Sequence, residues 1–107
     1  VNSASDDVEV LEDPNAVVEI KDSGLVLYQN VPNPFSDRTF IQFELPESGA
    51  VRLTILDVSG KVIEVLEQSF AAGTGSFEVN GLDVAGVLFY RIETAVGQAV
   101  GRMVKVD

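Results

Sequence analysis

From Leu25 onward, short apolar runs alternate with turns rich in Gly or Pro, the pattern of an antiparallel all-β domain. Thr39–Leu45 alternates cleanly: Thr39, Ile41, Phe43 and Leu45 share one face, while Phe40, Gln42 and Glu44 share the other. A period of two marks a half-buried strand. Pro46-Glu47-Ser48-Gly49 turns the chain, and Val51, Leu53 and Ile55 then point inward while Arg52 and Thr54 point out. Ser59-Gly60 predicts a tight hairpin turn between Val51–Val58 and Lys61–Leu66, with Gly supplying the positive φ that primed turns need. Val62, Ile63, Val65 and Leu66 also satisfy a helical stripe. The run is too short for a typical helix and holds three β-branched residues, which decides for strand.

Ala71–Gly75 turns again before a brief strand at Ser76–Val79, which Asn80-Gly81 ends. Val87–Thr94 is the richest strand, with Leu88, Tyr90 and Ile92 on one face. Val96-Gly97-Gln98 leads into the last strand, Ala99–Val106, where Val100, Val104 and Val106 share a face. With Leu25–Gln29 these make seven strands, which predicts an antiparallel β-sandwich of immunoglobulin-like architecture over residues 25–107. Residues 1–24 read as an acidic linker, because dense charge and few apolar residues leave too little surface to offset ordering entropy. Ala16–Ile20 is a candidate edge strand within it.

Charge sharpens that division. Residues 1–22 carry seven acids against Lys21 alone, so they hold −6 of the net −10. An acidic chain argues against nucleic-acid binding, which needs basic groups to displace phosphate counterions. It equally disfavours anionic lipid surfaces. The longest apolar stretch, Val84–Tyr90, stops at Arg91, far short of the ~20 residues of a membrane span, so no membrane insertion is expected. Val1 is followed by polar residues rather than a basic then apolar leader, and the chain reads as a piece of something longer.

The chain has no Cys and no His. Disulfides, thiolate metal sites, Ser-His-Asp relays and His-based zinc sites fall together. Acid pairs remain as catalytic candidates: Glu44 with Glu47, Glu64 with Glu67, or Asp57 with Asp83. Each sits on a polar strand face or in a turn, where carboxylates serve solvation, and so small a sandwich has little room for a pocket of ~300 Å³. No enzyme is expected. Calcium lacks its D-x-D-x-D-G loop, so no cofactor is assigned. Tyr28, Phe35, Phe40, Phe89 and Tyr90 read as core fillers.

Leu27 to Phe35 reads L-Y-Q-N-V-P-N-P-F. Pro32 and Pro34 lack N–H groups and fix φ, and they push Val31 and Asn33 out of the helical region. Alone, this is a stiff structural corner anchored by Leu27, Tyr28 and Phe35. Four further blocks follow in order: T-F-I-Q-F-E-L-P, D-V-S-G-K-V-I, G-L-D-V-A-G-V-L-F-Y-R-I and a terminal M-V-K-V. Together the five, spanning Leu25 to Asp107, resemble the type A C-terminal sorting domain of proteins exported by the type IX secretion system of Bacteroidetes and their relatives.

The resemblance implies the same immunoglobulin-like fold and a non-catalytic secretion signal. It implies an upstream cargo domain as partner, passage through the periplasm, export by the type IX machinery, and residence outside the cell or on its surface. It also implies removal by a sortase-like peptidase during surface attachment. Recognition is expected at Pro32, Asn33, Pro34 and Phe35 and at Met103, Val104 and Lys105. The last three lie in a strand with an outer edge that a partner could read by strand addition, or one that Lys105 merely guards; both readings stand. The family more commonly closes on Lys, Arg or an apolar residue, so Asp107 departs from it and Lys105 is the nearest cation. The competing reading is a binding or spacer module of the same architecture, carbohydrate-binding or like the domain of flagellar hook-capping proteins. A lack of Trp and only two Tyr give it few aromatic platforms.

Overall fold

A computed structural model describes residues 16–107. Most of the acidic segment, residues 1–15, therefore lies outside the described residues. The strands are β1 (Val17–Ile20), β2 (Val26–Tyr28), β3 (Arg38–Leu45), β4 (Gly49–Asp57), β5 (Val62–Phe70), β6 (Gly73–Asn80), β7 (Gly86–Thr94) and β8 (Gly97–Lys105). They form two antiparallel four-stranded sheets, ordered β1-β2-β3-β6 and β5-β4-β7-β8, stacked as a sandwich. Seven strands correspond to the predicted ones. The eighth is β1, inside the Ala16–Ile20 stretch, which pairs with β2 through Val17–Tyr28 and Ile20–Val26.

Alternation places the core as the sequence predicts in the central strands. Thr39, Ile41, Phe43 and Leu45 of β3 face inward, as do Val51, Leu53 and Ile55 of β4 and Leu88, Tyr90 and Ile92 of β7. Each fully buried aliphatic or aromatic side chain contributes about 1.5–3 kcal/mol. Thr54 lies on the outer face yet is buried, because Val65 and Arg91 flank it from the neighbouring strands. Phe40 is 43% exposed on the outer face of β3 and is no core filler, whereas Phe35 and Tyr90 are.

Each sheet carries an aromatic ring lying over a cross-strand glycine. Phe43 pairs with Gly75, where a Cβ would come within 2.7 Å of its ring, and Phe43 packs edge-on against Phe70 at 4.9 Å. Tyr90 pairs with Gly101, where a Cβ would lie 2.3 Å from the ring. The second pair also fixes how β8 faces. Its inner residues are Ala99, Gly101, Met103 and Lys105, and Val100 and Val104 point outward. Small residues at 99 and 101 leave the volume that Tyr90 fills.

The β4–β5 turn forms at the predicted place. Gly60 has φ 90°, and Asp57 Oδ1 accepts hydrogen bonds from the amides of Ser59 and Lys61 at 2.8 and 3.0 Å. The Ser59 hydroxyl, which also donates to Asp57 Oδ1, and then these amides hold the Asp57 carboxyl below its usual range.

Candidate functional site

The proline segment crosses from one sheet to the other. At its start Val31 and Phe40 exchange backbone hydrogen bonds of 3.0 and 2.9 Å, which attaches it to β3. At its end the Phe35 N–H donates to Val104 O at 3.0 Å and the Val106 N–H donates to Phe35 O at 2.8 Å, which attaches it to β8. Between these, Asn33 Oδ1 accepts from the Val104 N–H at 2.9 Å. Pro32 and Pro34 follow cis peptide bonds and are exposed, while Asn33 and Phe35 are buried. Val31 to Pro34 line an open cleft of about 260 Å³.

Two stretches some seventy residues apart in sequence thus become one surface. Asn33 and Phe35 bond directly to Val104, and Phe35 forms a parallel bridge with Lys105. The outer edge of β8 at Val104 is therefore not free, which corrects the expectation of an open terminal strand. Further along the same edge, Gln29 Nε2 donates to Arg102 O at 2.9 Å and the Val100 N–H donates to Glu19 Oε1 at 3.1 Å. The Lys21 ammonium, 2.9 Å from Glu19, and then the Val100 amide hold the Glu19 carboxyl below its usual range.

Lys105 departs from expectation as well. It is 7% exposed on the core-facing side of β8 and so does not guard an exposed edge. Met103 is fully buried beside it, and Val104 is the half-buried outward member of the three.

A buried polar network supports the corner from below. Asn30 is fully buried; its Nδ2 donates to Pro32 O and to Thr39 Oγ1, each at 3.1 Å, and its Oδ1 accepts from Gln29 Nε2 at 2.6 Å. Thr39 Oγ1 in turn donates to Pro32 O at 2.9 Å. The Asn30 N–H donates to the Tyr90 hydroxyl at 3.2 Å, and that hydroxyl donates to Tyr28 O at 3.0 Å. Burial pushes the Tyr90 phenol well above its usual value. Buried polar groups of this kind hold position only when every member is satisfied. Asn30, Thr39 and Tyr90 were not among the predicted site residues. The available signal was Thr39, a polar residue on the otherwise apolar inner face of β3.

Three of the carboxylates considered for catalysis, one from each pair, have local partners. Glu44 accepts from the Tyr28 hydroxyl, a bond that raises the Tyr28 phenol above its usual value. Asp57 is held in the turn, and Glu67 lies 3.7 Å from Arg52. Among the described residues, no group of three or more His, Cys, Asp or Glu could hold a metal ion. What the arrangement offers is a rigid display surface: two exposed proline rings, a cleft beside them, and a strand end locked against them.

Comparison with protein families finds a match over residues 30–106 to the family described as the secretion system C-terminal sorting domain. That span begins at Asn30, takes in the whole proline corner and ends at Val106. The comparison with curated proteins gives no match.

Proposed function

Because the chain belongs to the type IX secretion C-terminal sorting domain family, whose members mark proteins for export to the cell surface or beyond, we propose that its recognition surface is the composite of Pro32–Phe35 and Met103–Lys105, in which Pro32, Pro34 and Val104 face outward and the buried Asn33, Phe35, Met103 and Lys105 hold them in place. The single observation behind this reading is the hydrogen-bonded union of Asn33 and Phe35 with Val104 and Val106. A partner meeting this surface meets both segments at once, already ordered, and so pays little of the entropy that fixing two loose peptides would cost. The domain performs no chemistry of its own. It carries an upstream cargo through the periplasm to the translocon, and a sortase-like peptidase removes it once the cargo is outside.

The test is a fusion of the whole chain to a reporter bearing a secretory signal peptide, expressed in a type IX-competent host. The reporter reaches the surface or medium. Retention in the periplasm of a host that exports its own cargo rejects the reading. Asn33→Ala in the same fusion lowers export while the purified domain keeps its dispersed amide spectrum; undiminished export removes the composite surface from the account.

A further inference from the structure

The outer faces of the two sheets differ in charge. On the β1-β2-β3-β6 sheet, the arginine Arg38 is already matched by Glu78 at 3.4 Å. The β5-β4-β7-β8 sheet displays Arg52, Arg91 and Arg102 outward, against Glu67 and Glu93. With Glu67 3.7 Å from Arg52 and Glu93 3.9 Å from Arg91, the excess positive charge on this face of an otherwise acidic chain falls at Arg102.

Arg91 and Arg102 are diagonal neighbours: Arg91 pairs with Val100 and Arg102 with Phe89. The apolar surroundings are Val87 at 37% exposure, Val100 at 44%, and the half-buried Phe89 and Val104. Arg91 Nε is buried with no hydrogen-bond acceptor among the described residues, and Glu93 Oε1 stands off at 3.9 Å. A buried guanidinium N–H without a partner is costly and calls for an acceptor. Arg102 forms no ion pair among the described residues.

We propose that this face docks an extended acidic segment of a partner protein. Diagonal positions on adjacent strands are about 7–8 Å apart. Side chains at i and i+2 of an extended peptide lie about 6.6 Å apart on one face. Two carboxylates at that spacing reach Arg91 and Arg102 together, and an aliphatic residue on either side of them covers Phe89, Val87 and Val104. The face adjoins the proline corner at Val104, but neither arginine belongs to that corner, and the inference does not depend on the export reading.

The probe is the peptide acetyl-Val-Ser-Glu-Ser-Glu-Ser-Val-amide, titrated into the isotope-labelled full chain. Saturable shifts in the amides of Phe89, Arg91, Val100 and Arg102 are expected, with none around Phe40 and Glu78. Arg91→Gln with Arg102→Gln weakens binding about tenfold or more. Arg38→Gln leaves it unchanged, and about 1 M salt, where the screening length is about 3 Å, weakens binding to the unaltered chain. Shifts elsewhere, no saturation, or equal binding by the analogue with Lys in place of Glu overturn the proposal. Binding that emerges only when Asp7→Asn and Glu9→Gln are introduced also overturns it, in favour of the chain's own acidic segment as occupant.

Discussion

The β5-β4-β7-β8 sheet has two edges, and they are finished in different ways. Along β8, Glu19, Gln29, Asn33 and Phe35 cap successive backbone groups from Val100 to Val106. Along β5, only β4 provides a neighbouring strand among the described residues. That second edge is kept from pairing indiscriminately by Glu64 and Glu67 and by an irregular register between Ile55 and Leu56, common devices on exposed strands. The difference separates two ways of managing an edge. One seals it with a segment whose position then becomes fixed; the other leaves it in water and relies on charge. Only the sealed edge joins distant parts of the sequence: there the proline segment meets the terminal strand.

Breaking the sealed side has the largest expected effect. Gly101→Ala places a Cβ 2.3 Å from the Tyr90 ring and forces β7 and β8 apart. Overpacking of this sort costs about 1–3 kcal/mol and here falls at the upper end, because backbone stands on one side and a buried ring on the other. The urea midpoint reads it. Gly49→Ala is the matched control, since nothing lies within 4 Å of its Cβ, and it shifts stability by no more than about 0.5 kcal/mol.

Tyr90→Phe is next. It leaves the Asn30 N–H without its acceptor, at a cost of about 1–3 kcal/mol. It also changes the response to alkali. Burial raises the folded-state value of this phenol above its unfolded value near 10. Its contribution is therefore complete below about pH 10 and is lost as pH rises through the folded value. Unfolding followed across alkaline pH loses much of its slope in the variant. Tyr28, raised in the same direction by Glu44, retains the remainder. An unchanged slope removes Tyr90 from the network.

The smallest effect belongs to the open edge. Val65 is 50% exposed on β5, and Val65→Thr changes stability by no more than about 0.5 kcal/mol and leaves export as it was. A larger loss on thermal unfolding shows that β5 is covered in solution.

Much of this molecule is legible from alternation. In β3, β4 and β7 only one parity is strongly apolar, so the inward face follows directly. In β8 both parities qualify: Ala99, Gly101 and Met103 on one, Val100, Val104 and Val106 on the other. Alternation alone favours the valines. The structure turns the smaller set inward because Tyr90 occupies the space over Gly101, a cross-strand fact that no local window contains. Lys105 goes inward for the same reason of parity. The residues proposed for recognition are legible as two separate motifs, from proline chemistry and family resemblance. Their union is not, because it rests on hydrogen bonds between residues about seventy positions apart, and Asn30 lacks any local mark that sets it off from a turn asparagine.

Asn33 sealing the end of β8 is what joins the two motifs, and the exchange rate of the Val104 amide in the full chain tests it directly. Hydrogen exchange followed by NMR is expected to find Val104 and Val106 protected to a degree comparable with the paired amides of β7. Asn33→Ala is expected to release Val104 selectively, while Val106, held by Phe35 O, stays protected. A Val104 amide that already exchanges as fast as a solvent-exposed strand edge in the unaltered chain would contradict the account, because the two motifs would then be neighbours without being joined.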